Sequence, residues 1–111
     1  MSEAADALAD RIRAIFDYRP GLTEKKMFGG YGFMLNGNMV AGAMRSGNLL
    51  LRVGPDLHEL ALQRPGTSAM HQGGRDMVGF VEVAPDFIDT EEDLGAWLDF
   101  AEGFVKTLPP K

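Results

Sequence analysis

Apolar residues recur at helical spacing in two stretches of the chain, one near each end. Near the start, Ser2 is placed to cap a helix, and the apolar positions that follow it are Ala5, Leu8, Ile12, Ile15 and Phe16. Near the other end, a cluster of acids precedes a second series, formed by Leu94, Trp97, Leu98, Ala101, Phe104, Val105 and Leu108. The spacing predicts helices over residues 2–17 and 89–108, and Pro109-Pro110 ends the second.

Between these helices, short apolar runs alternate with turn residues, a pattern typical of strands joined in hairpins. Asn36-Gly37 is the strongest hairpin signal in the chain, and Gly73-Gly74 marks a second hairpin. The predicted strands cover about residues 25–35, 38–45 and 49–53, followed by a short helix over 54–63 and a weaker strand pair flanking 73–74. The 111 residues are expected to form a single domain, 1–111, of the α+β class, with an antiparallel sheet packed against helices.

Two-residue turns would fix the pairing of the first three strands, with Phe33 opposite Val40 and Tyr31 opposite Gly42. The predicted core face then contains Tyr31, Phe33, Val40, Met44, Leu49, Leu51 and Val53. The second face is apolar but low in relief, and contains Phe28, Gly30, Gly32, Met34, Met39, Ala41, Ala43, Arg45, Leu50 and Arg52. We expect something to pack closely on this second face: a helix, a second copy of the chain, or a ligand.

The glycine-rich run that begins at Met27 does not predict a phosphate-binding loop. A dinucleotide fingerprint would need a further glycine where Leu35 stands, and a helix after it. A P-loop would need a lysine and a hydroxyl where Asn38 and Met39 stand. The glycines are therefore interpreted as structural, required by a bulge or a close backbone approach within a strand.

The distribution of charge is more informative than the formal net charge of −5. Residues 31–75 carry four arginines against two acids, whereas residues 76–111 carry nine acids against two lysines. A module that binds duplex DNA usually shows a basic stripe and a high pI, so the acidic end argues against direct DNA binding. The four arginines still allow a local basic patch.

Candidate catalytic groups are few. The chain has no cysteine, which excludes disulfides, thiolate metal sites and a cysteine nucleophile. His58 lacks a second histidine one turn away, so no zinc site is predicted, and His71 has only Asp76, across the Gly73-Gly74 turn, as a carboxylate partner. The acids between residues 86 and 93 are interpreted as helix-capping and dipole partners. No catalytic residue, metal site or cofactor is therefore predicted.

The segment Lys26-Met27-Phe28-Gly29-Gly30-Tyr31-Gly32-Phe33, followed by a hairpin, resembles the signature of the TfoX N-terminal domain family. The strand Met77-Val78-Gly79-Phe80-Val81-Glu82-Val83, Trp97 in the last helix and the ending Leu108-Pro109-Pro110-Lys111 are also similar to that family. The resemblance covers nearly the whole chain and implies an α-β-β-β-α-β-β-α order. It also implies kinship with regulators of natural competence, in which this domain is joined to a second helical domain, and it supplies no catalytic residues.

The leading hypothesis is a non-enzymatic regulatory or protein-interaction module that acts in transcription through an unidentified protein partner. The alternative is a small-molecule-binding or enzymatic domain that uses the glycine-lined face with Arg45, Arg52 and His71. The predicted interaction residues are Met27, Phe28, Gly30, Gly32, Met34, Met39, Arg45 and Arg52. If both long helices share one face of the sheet, the low-relief face is predicted to form a homodimer. The sequence shows no signal peptide or membrane span, and a cytoplasmic location is expected.

Overall fold

The computed structural model describes residues 2–17, 19–27, 29–72 and 74–111, and for residues 71, 72 and 76 it describes the backbone only. Three helices and six strands lie in these ranges. In chain order they are α1 (Glu3–Ile15), β1 (Leu22–Met27), β2 (Gly30–Leu35), β3 (Asn38–Ala43), β4 (Leu49–Arg52), α2 (His58–Leu62), β5 (Thr67–Gln72), β6 (Arg75–Val83) and α3 (Glu91–Val105). A short 3₁₀ turn, Pro85–Phe87, precedes α3.

The strands form one antiparallel sheet in the order β1-β2-β3-β4-β6-β5, which confirms the α+β class. The single strand expected over residues 25–35 is wrong in detail, because the chain reverses there and forms the β1–β2 hairpin. Gly29 lies in this reversal with φ at +78°, a conformation that other residues adopt only with strain. The Asn36-Gly37 turn then joins β2 to β3, as predicted, and both of its residues have positive φ.

All three helices pack on the same face of the sheet. The long helix α3 lies on β3 and β4, α1 lies on β2 and β3, and α2 lies on β5 and β6. Side chains cap both long helices: the Ser2 hydroxyl accepts the Ala5 N–H, as predicted, and the Thr90 hydroxyl accepts the Asp93 N–H. Among the helices in the described ranges, none has the length and apolar character needed to cross a bilayer.

A β-bulge in β3 changes which residues reach the helices. Phe33 lies opposite Ala41, yet the next pair is Met34 with Met39, so Val40 is an extra residue without a direct partner on β2. Beyond such a bulge every side chain changes face. The side chains of Ala41 and Ala43 therefore point into the core, where both residues are buried, and the prediction that these side chains lie on the low-relief face is wrong.

The core on the helix side contains most of the residues predicted for it. Phe33, Val40, Leu49, Leu51 and Val53 are all buried, and Tyr31 packs against them while half-buried. Trp97 of α3 also belongs to this cluster and is only 6% exposed. Met44 was predicted for the core face but is half-buried outside this cluster, because β3 ends at Ala43.

Charged side chains of α1 hold the edge strand β1 in place. The Arg13 guanidinium donates to both carboxylate oxygens of Glu24 and to Asp10, and its central carbon lies 5.1 Å from the centre of the Tyr31 ring. The Tyr31 hydroxyl donates to Asp6 at 2.7 Å. These hydrogen bonds lower the pKa of the Glu24 carboxyl and raise the pKa of the Tyr31 phenol from their ordinary values.

Replacing the buried indole should have a large cost. We expect Trp97→Ala to lower the free energy of unfolding by about 3–5 kcal/mol, because it removes core contacts and leaves a cavity. Urea unfolding followed by far-UV circular dichroism measures the loss. The matched control is Leu60→Ala on α2, whose side chain is 53% exposed and whose loss should stay below about 1 kcal/mol. Equal losses in the two variants would contradict this packing.

The Glu24 ion pair should make stability weakly acid-sensitive. The pKa of the Glu24 carboxyl is lower in the folded chain than its ordinary value of about 4.3. The contribution of the ion pair to the free energy of unfolding is therefore fully present above that ordinary value, and it is lost as the pH falls through the folded pKa. The side chain is 39% exposed, so we expect Glu24→Gln to cost less than about 1 kcal/mol at neutral pH. Urea unfolding at pH 7 and pH 3 should show the difference in stability between Glu24→Gln and the unmodified chain shrinking in acid. A pH-independent difference would contradict the assignment.

Candidate functional site

The face of the sheet opposite the helices is apolar and is called the open face here. Successive strands contribute one row of residues that pair across the sheet: Gly32, Gly42, Leu50 and Glu82. A second row contains Met34 beside Met39, and Arg52 beside Phe80. Because directly paired residues of neighbouring strands share a face, and Phe33, Ala41 and Leu51 meet the helices, these rows point the other way.

The first half of the open face is a cavity of about 310 Å³ with an apolar lining. Its walls come from five strands, β1 to β5, and from the loop after β3. The lining residues are Met27, Tyr31, Met39, Gly42, Ala43, Met44, Arg45, Ser46, Leu50 and Met70. Four of these ten are methionines, whose unbranched thioether side chains adapt to irregular surfaces.

The second half of the open face is a cavity of about 480 Å³ with a basic lining, which also touches Met39. Its lining residues are Thr23, Lys25, Met34, Gly37, Met39, Arg52, Phe80 and Lys111. Both cavities touch Met39, and we call the two cavities together the groove. The groove runs along β3, with an apolar end near Arg45 and a basic end near Arg52 and Lys111.

Small residues give the groove its depth. Neither Gly32 nor Gly42 has a side chain to fill the space above the central strands, so the flanking methionines lean inward. A Cβ added at Gly32 would lie 2.8 Å from Met27 Cε and 2.9 Å from its sulfur. Because a methionine side chain is flexible, a larger residue at position 32 would displace Met27 rather than distort the backbone.

The arginines of the groove are held at its two ends. At the basic end, the central carbon of the Arg52 guanidinium lies 5.5 Å from the Phe80 ring centre and 5.8 Å from that of Phe104. At the apolar end, the aliphatic part of the Arg45 side chain lies beside Gly29. No aspartate or glutamate belongs to the described lining of either half. Glu82 shares the open face, where it accepts a hydrogen bond from Asn48 Nδ2 at 3.0 Å.

Most of the predicted interaction residues lie together in the groove. Met27, Met34, Met39, Arg45 and Arg52 line it, whereas Gly32 lies beneath the Met27 side chain and lines neither half. Gly30 pairs with Met27 but does not line the groove, and its role is steric, because a side chain there would collide with the Ala43 carbonyl oxygen. Phe28, a predicted anchor, lies outside the described residues.

Sequence reasoning left some groove residues out of the predicted site. Met44 was assigned to the core, while Met70, Lys25, Phe80 and Lys111 were not considered for the site. For Lys25 and Met70, the signal that would have found them is the true strand pattern, since Lys25 pairs with Gly32 across the β1–β2 hairpin. That hairpin was hidden by the interpretation of residues 25–35 as one strand.

The candidate catalytic groups are not assembled into a site by the described residues. His58 is buried, and its Nδ1 accepts the Gly79 N–H at 3.0 Å, which is a structural hydrogen bond between α2 and β6. The backbones of His71 and Asp76 pair in the β5–β6 hairpin, but their side chains lie outside the described part of the chain. No cluster of three or more metal-ligating side chains occurs among the described residues.

A buried carboxylate that the sequence analysis did not single out is Glu102 of α3. It is 4% exposed, and its Oε2 accepts from Arg19 Nε at 2.9 Å, with Lys106 Nζ 3.6 Å away. The arginine follows α1, so this pair ties the end of α1 to α3. A buried carboxylate paired in this way is a structural contact, and the spacing of Glu102 and Lys106 was its only signal in the sequence.

The comparisons with known proteins agree with this architecture. Residues 14–104 match the family described as the TfoX N-terminal domain. Among solved structures, the chain is similar to that of the Deinococcus radiodurans protein DR2400, which carries a DUF419 domain, with 23% identity and a TM-score of 0.63. The alignment covers 88% of this chain and 78% of that one, and at this identity it shows a common fold. No curated protein sequence matches the chain.

Proposed function

The chain belongs to the TfoX N-terminal domain family, and we propose that it is a non-enzymatic protein-interaction module whose binding surface is the groove. The observation that carries this proposal is the apolar open face, which the helices of the chain leave uncovered. Contiguous apolar surface of this kind on a soluble domain usually marks a binding site. The methionines at its apolar end suit a partner surface of irregular shape.

A binding role fits the chemistry of the groove better than a catalytic one does. Catalysis needs a nucleophile, acid or base within reach of a reacting atom, usually with convergent polar groups around it. At the apolar end of the groove, the polar side chains in the lining are those of Tyr31, Arg45 and Ser46. The Tyr31 hydroxyl is directed to Asp6, on the helix side of the sheet, which leaves one cation and one serine.

The proposed role is regulatory, exercised through a protein partner. The family resemblance to regulators of natural competence supports regulation rather than metabolism. The acidic surface of the helices argues against direct binding of this chain to a DNA duplex, since affinity for duplexes depends on neutralising phosphates. We therefore propose that any effect on transcription passes through the protein bound in the groove.

A small apolar ligand is the second candidate, and the methionine-lined cavity is the observation that favours it. At about 310 Å³ the cavity lies at the lower end of the range of about 300–1,000 Å³ typical of ligand pockets. In this alternative, Met27, Met39 and Met70 would surround the ligand and Arg45 would face any acidic group that it carried.

Site-specific photo-crosslinking in the native cell tests the proposed function. A benzophenone amino acid placed at Met39, in the middle of the groove, should form an adduct with a distinct protein. The same amino acid at Leu60 of α2, which is exposed on the helix side, should not form that adduct. Leu50→Glu places a charge in the apolar end and should remove the Met39 adduct while leaving the thermal unfolding transition in place.

The same experiment identifies failure. Identical adducts from Met39 and Leu60 would contradict a binding surface at the groove. Absence of any protein adduct, together with a rise in Tm with an apolar metabolite that Leu50→Glu abolishes, would favour the small-molecule alternative.

The homodimer predicted from the sequence has its stated condition fulfilled, because both long helices share one face of the sheet. Sedimentation over a range of protein concentrations tests it. If two copies meet through their grooves, Gly32→Glu should give folded monomers, because it places a carboxylate in the interface and displaces Met27. An unmodified chain that sediments as a monomer at high concentration would show that the groove does not bind a second copy.

A further inference from the structure

We infer that the occupant of the groove is an acidic amphipathic helix of a partner protein. In this complex, aliphatic side chains of the helix fill the methionine-lined end, and its carboxylates pair with Lys25, Arg45 and Arg52. The inference rests on the proposed function and adds the chemistry of the partner. It depends on the charges of the groove, on its position in the sheet and on its length.

The charges of the groove are segregated from those of the rest of the chain. Its described lining contains no aspartate or glutamate and has four basic side chains, those of Lys25, Arg45, Arg52 and Lys111. The whole chain has a formal net charge of −5, so the acids lie mainly elsewhere, including Glu91, Glu92 and Asp93 at the start of α3. A basic lining around an apolar floor is complementary to a segment that is apolar on one side and acidic along its borders.

The position of the groove in the sheet favours a helical segment over an extended one. Its floor is made by β2, β3 and β4, which are interior strands whose backbone groups already pair with neighbours on both sides. An extended peptide gains affinity by adding a strand to a free sheet edge, and here the edges are β1 and β5. A helix satisfies its own backbone hydrogen bonds and binds through side chains, as amphipathic helices do in methionine-rich grooves.

The length of the groove sets the length of the helix. It follows β3, which has six residues and therefore spans about 20 Å at about 3.4 Å per residue. A helix of the same length has about 13 residues, or between three and four turns. Such a helix places about three aliphatic side chains, three or four positions apart, along one face.

A second copy of this chain is a weaker candidate for the same surface. Two grooves that met face to face would bring Lys25, Arg45 and Arg52 of one copy close to the same residues of the other. Like charges facing each other across an interface lower affinity. A negatively charged segment of another protein meets the same cations with the opposite sign.

Fluorescence anisotropy with synthetic peptides tests the inference. The probe is a labelled helical peptide of about 14 residues, with leucines along one face and glutamates elsewhere. The comparison peptides replace every glutamate with glutamine, replace every glutamate with lysine, or keep the composition and scatter the leucines. We expect the acidic amphipathic peptide to bind at least about 10-fold more tightly than the glutamine peptide at low salt, with a smaller ratio at high salt.

Variants of the chain locate the bound peptide. Leu50→Glu should abolish binding, while the matched Leu60→Glu on α2 should leave it unchanged, and thermal unfolding checks that both variants fold. Lys25→Gln and Arg45→Gln should each lower the affinity for the acidic peptide several-fold without changing the affinity for the glutamine peptide. A general loss of structure would lower the affinity for both peptides, so a selective loss of affinity for the acidic peptide indicates lost charge pairing.

Four results would overturn the inference. They are equal affinity for the acidic and glutamine peptides, equal affinity for the scattered-leucine peptide, binding that Leu50→Glu does not affect, and a stable dimer that excludes the peptide. Binding of a DNA duplex that Leu50→Glu and Arg45→Gln abolish would also overturn it, and would assign the groove to nucleic acid. If one of the peptide results fails in this way but Met39 still crosslinks to a distinct protein in the cell, the inference fails while the proposed function stands.

Discussion

A single extra residue in β3, Val40, decides which side chains of the central strands meet the helices. Without this bulge, Val40 and Gly42 would face α1 and α3, and the two alanines beyond would face solvent. With it, Ala41 and Ala43 lie under the helices, while Gly42 faces the groove beside its partner Gly32. Small alanine side chains let the helices approach the sheet closely, and the glycines leave a depression on the other side. The core and the groove therefore depend on the same local irregularity.

Because the three described helices pack on one face of the sheet, that face forms the core and the opposite face remains uncovered. The helix side stabilises the fold through a core in which Phe33, Leu51 and Trp97 are buried. Buried polar side chains on that side have hydrogen-bond partners. His58 and Glu102 are examples: one accepts a backbone N–H and the other accepts from Arg19, so both hold elements together. These hydrogen bonds give both groups a structural role, and the proposed function therefore uses the open face instead.

The sequence predicted the elements whose signals are local, and it failed where a pairing had to be known. The cap at Ser2, the Asn36-Gly37 turn and the burial of Trp97 follow from periodicity and turn chemistry, and the structure confirms them. The β1–β2 hairpin was missed because its turn lies in a glycine run that also reads as a strand. The predicted faces of Ala41 and Ala43 were wrong because a β-bulge has no clear signal in a single sequence. The faces of Met34 and Met39 were predicted correctly, because both residues lie between the bulge and the Asn36-Gly37 turn, where the predicted register holds.

The separation of charge in this chain follows from the same one-sided packing. Acids at the start of α3 stabilise that helix through its dipole and its N-terminal N–H groups, so they are placed on the helix side for reasons of stability. No such requirement applies to the open face, where cations beside an apolar floor neither cap a helix nor fill the core. Arg52 packs on Phe80 and Phe104 and keeps its charge at the end of the groove. Basic side chains beside apolar surface that the described helices leave open are the two features on which the proposed acidic partner helix depends.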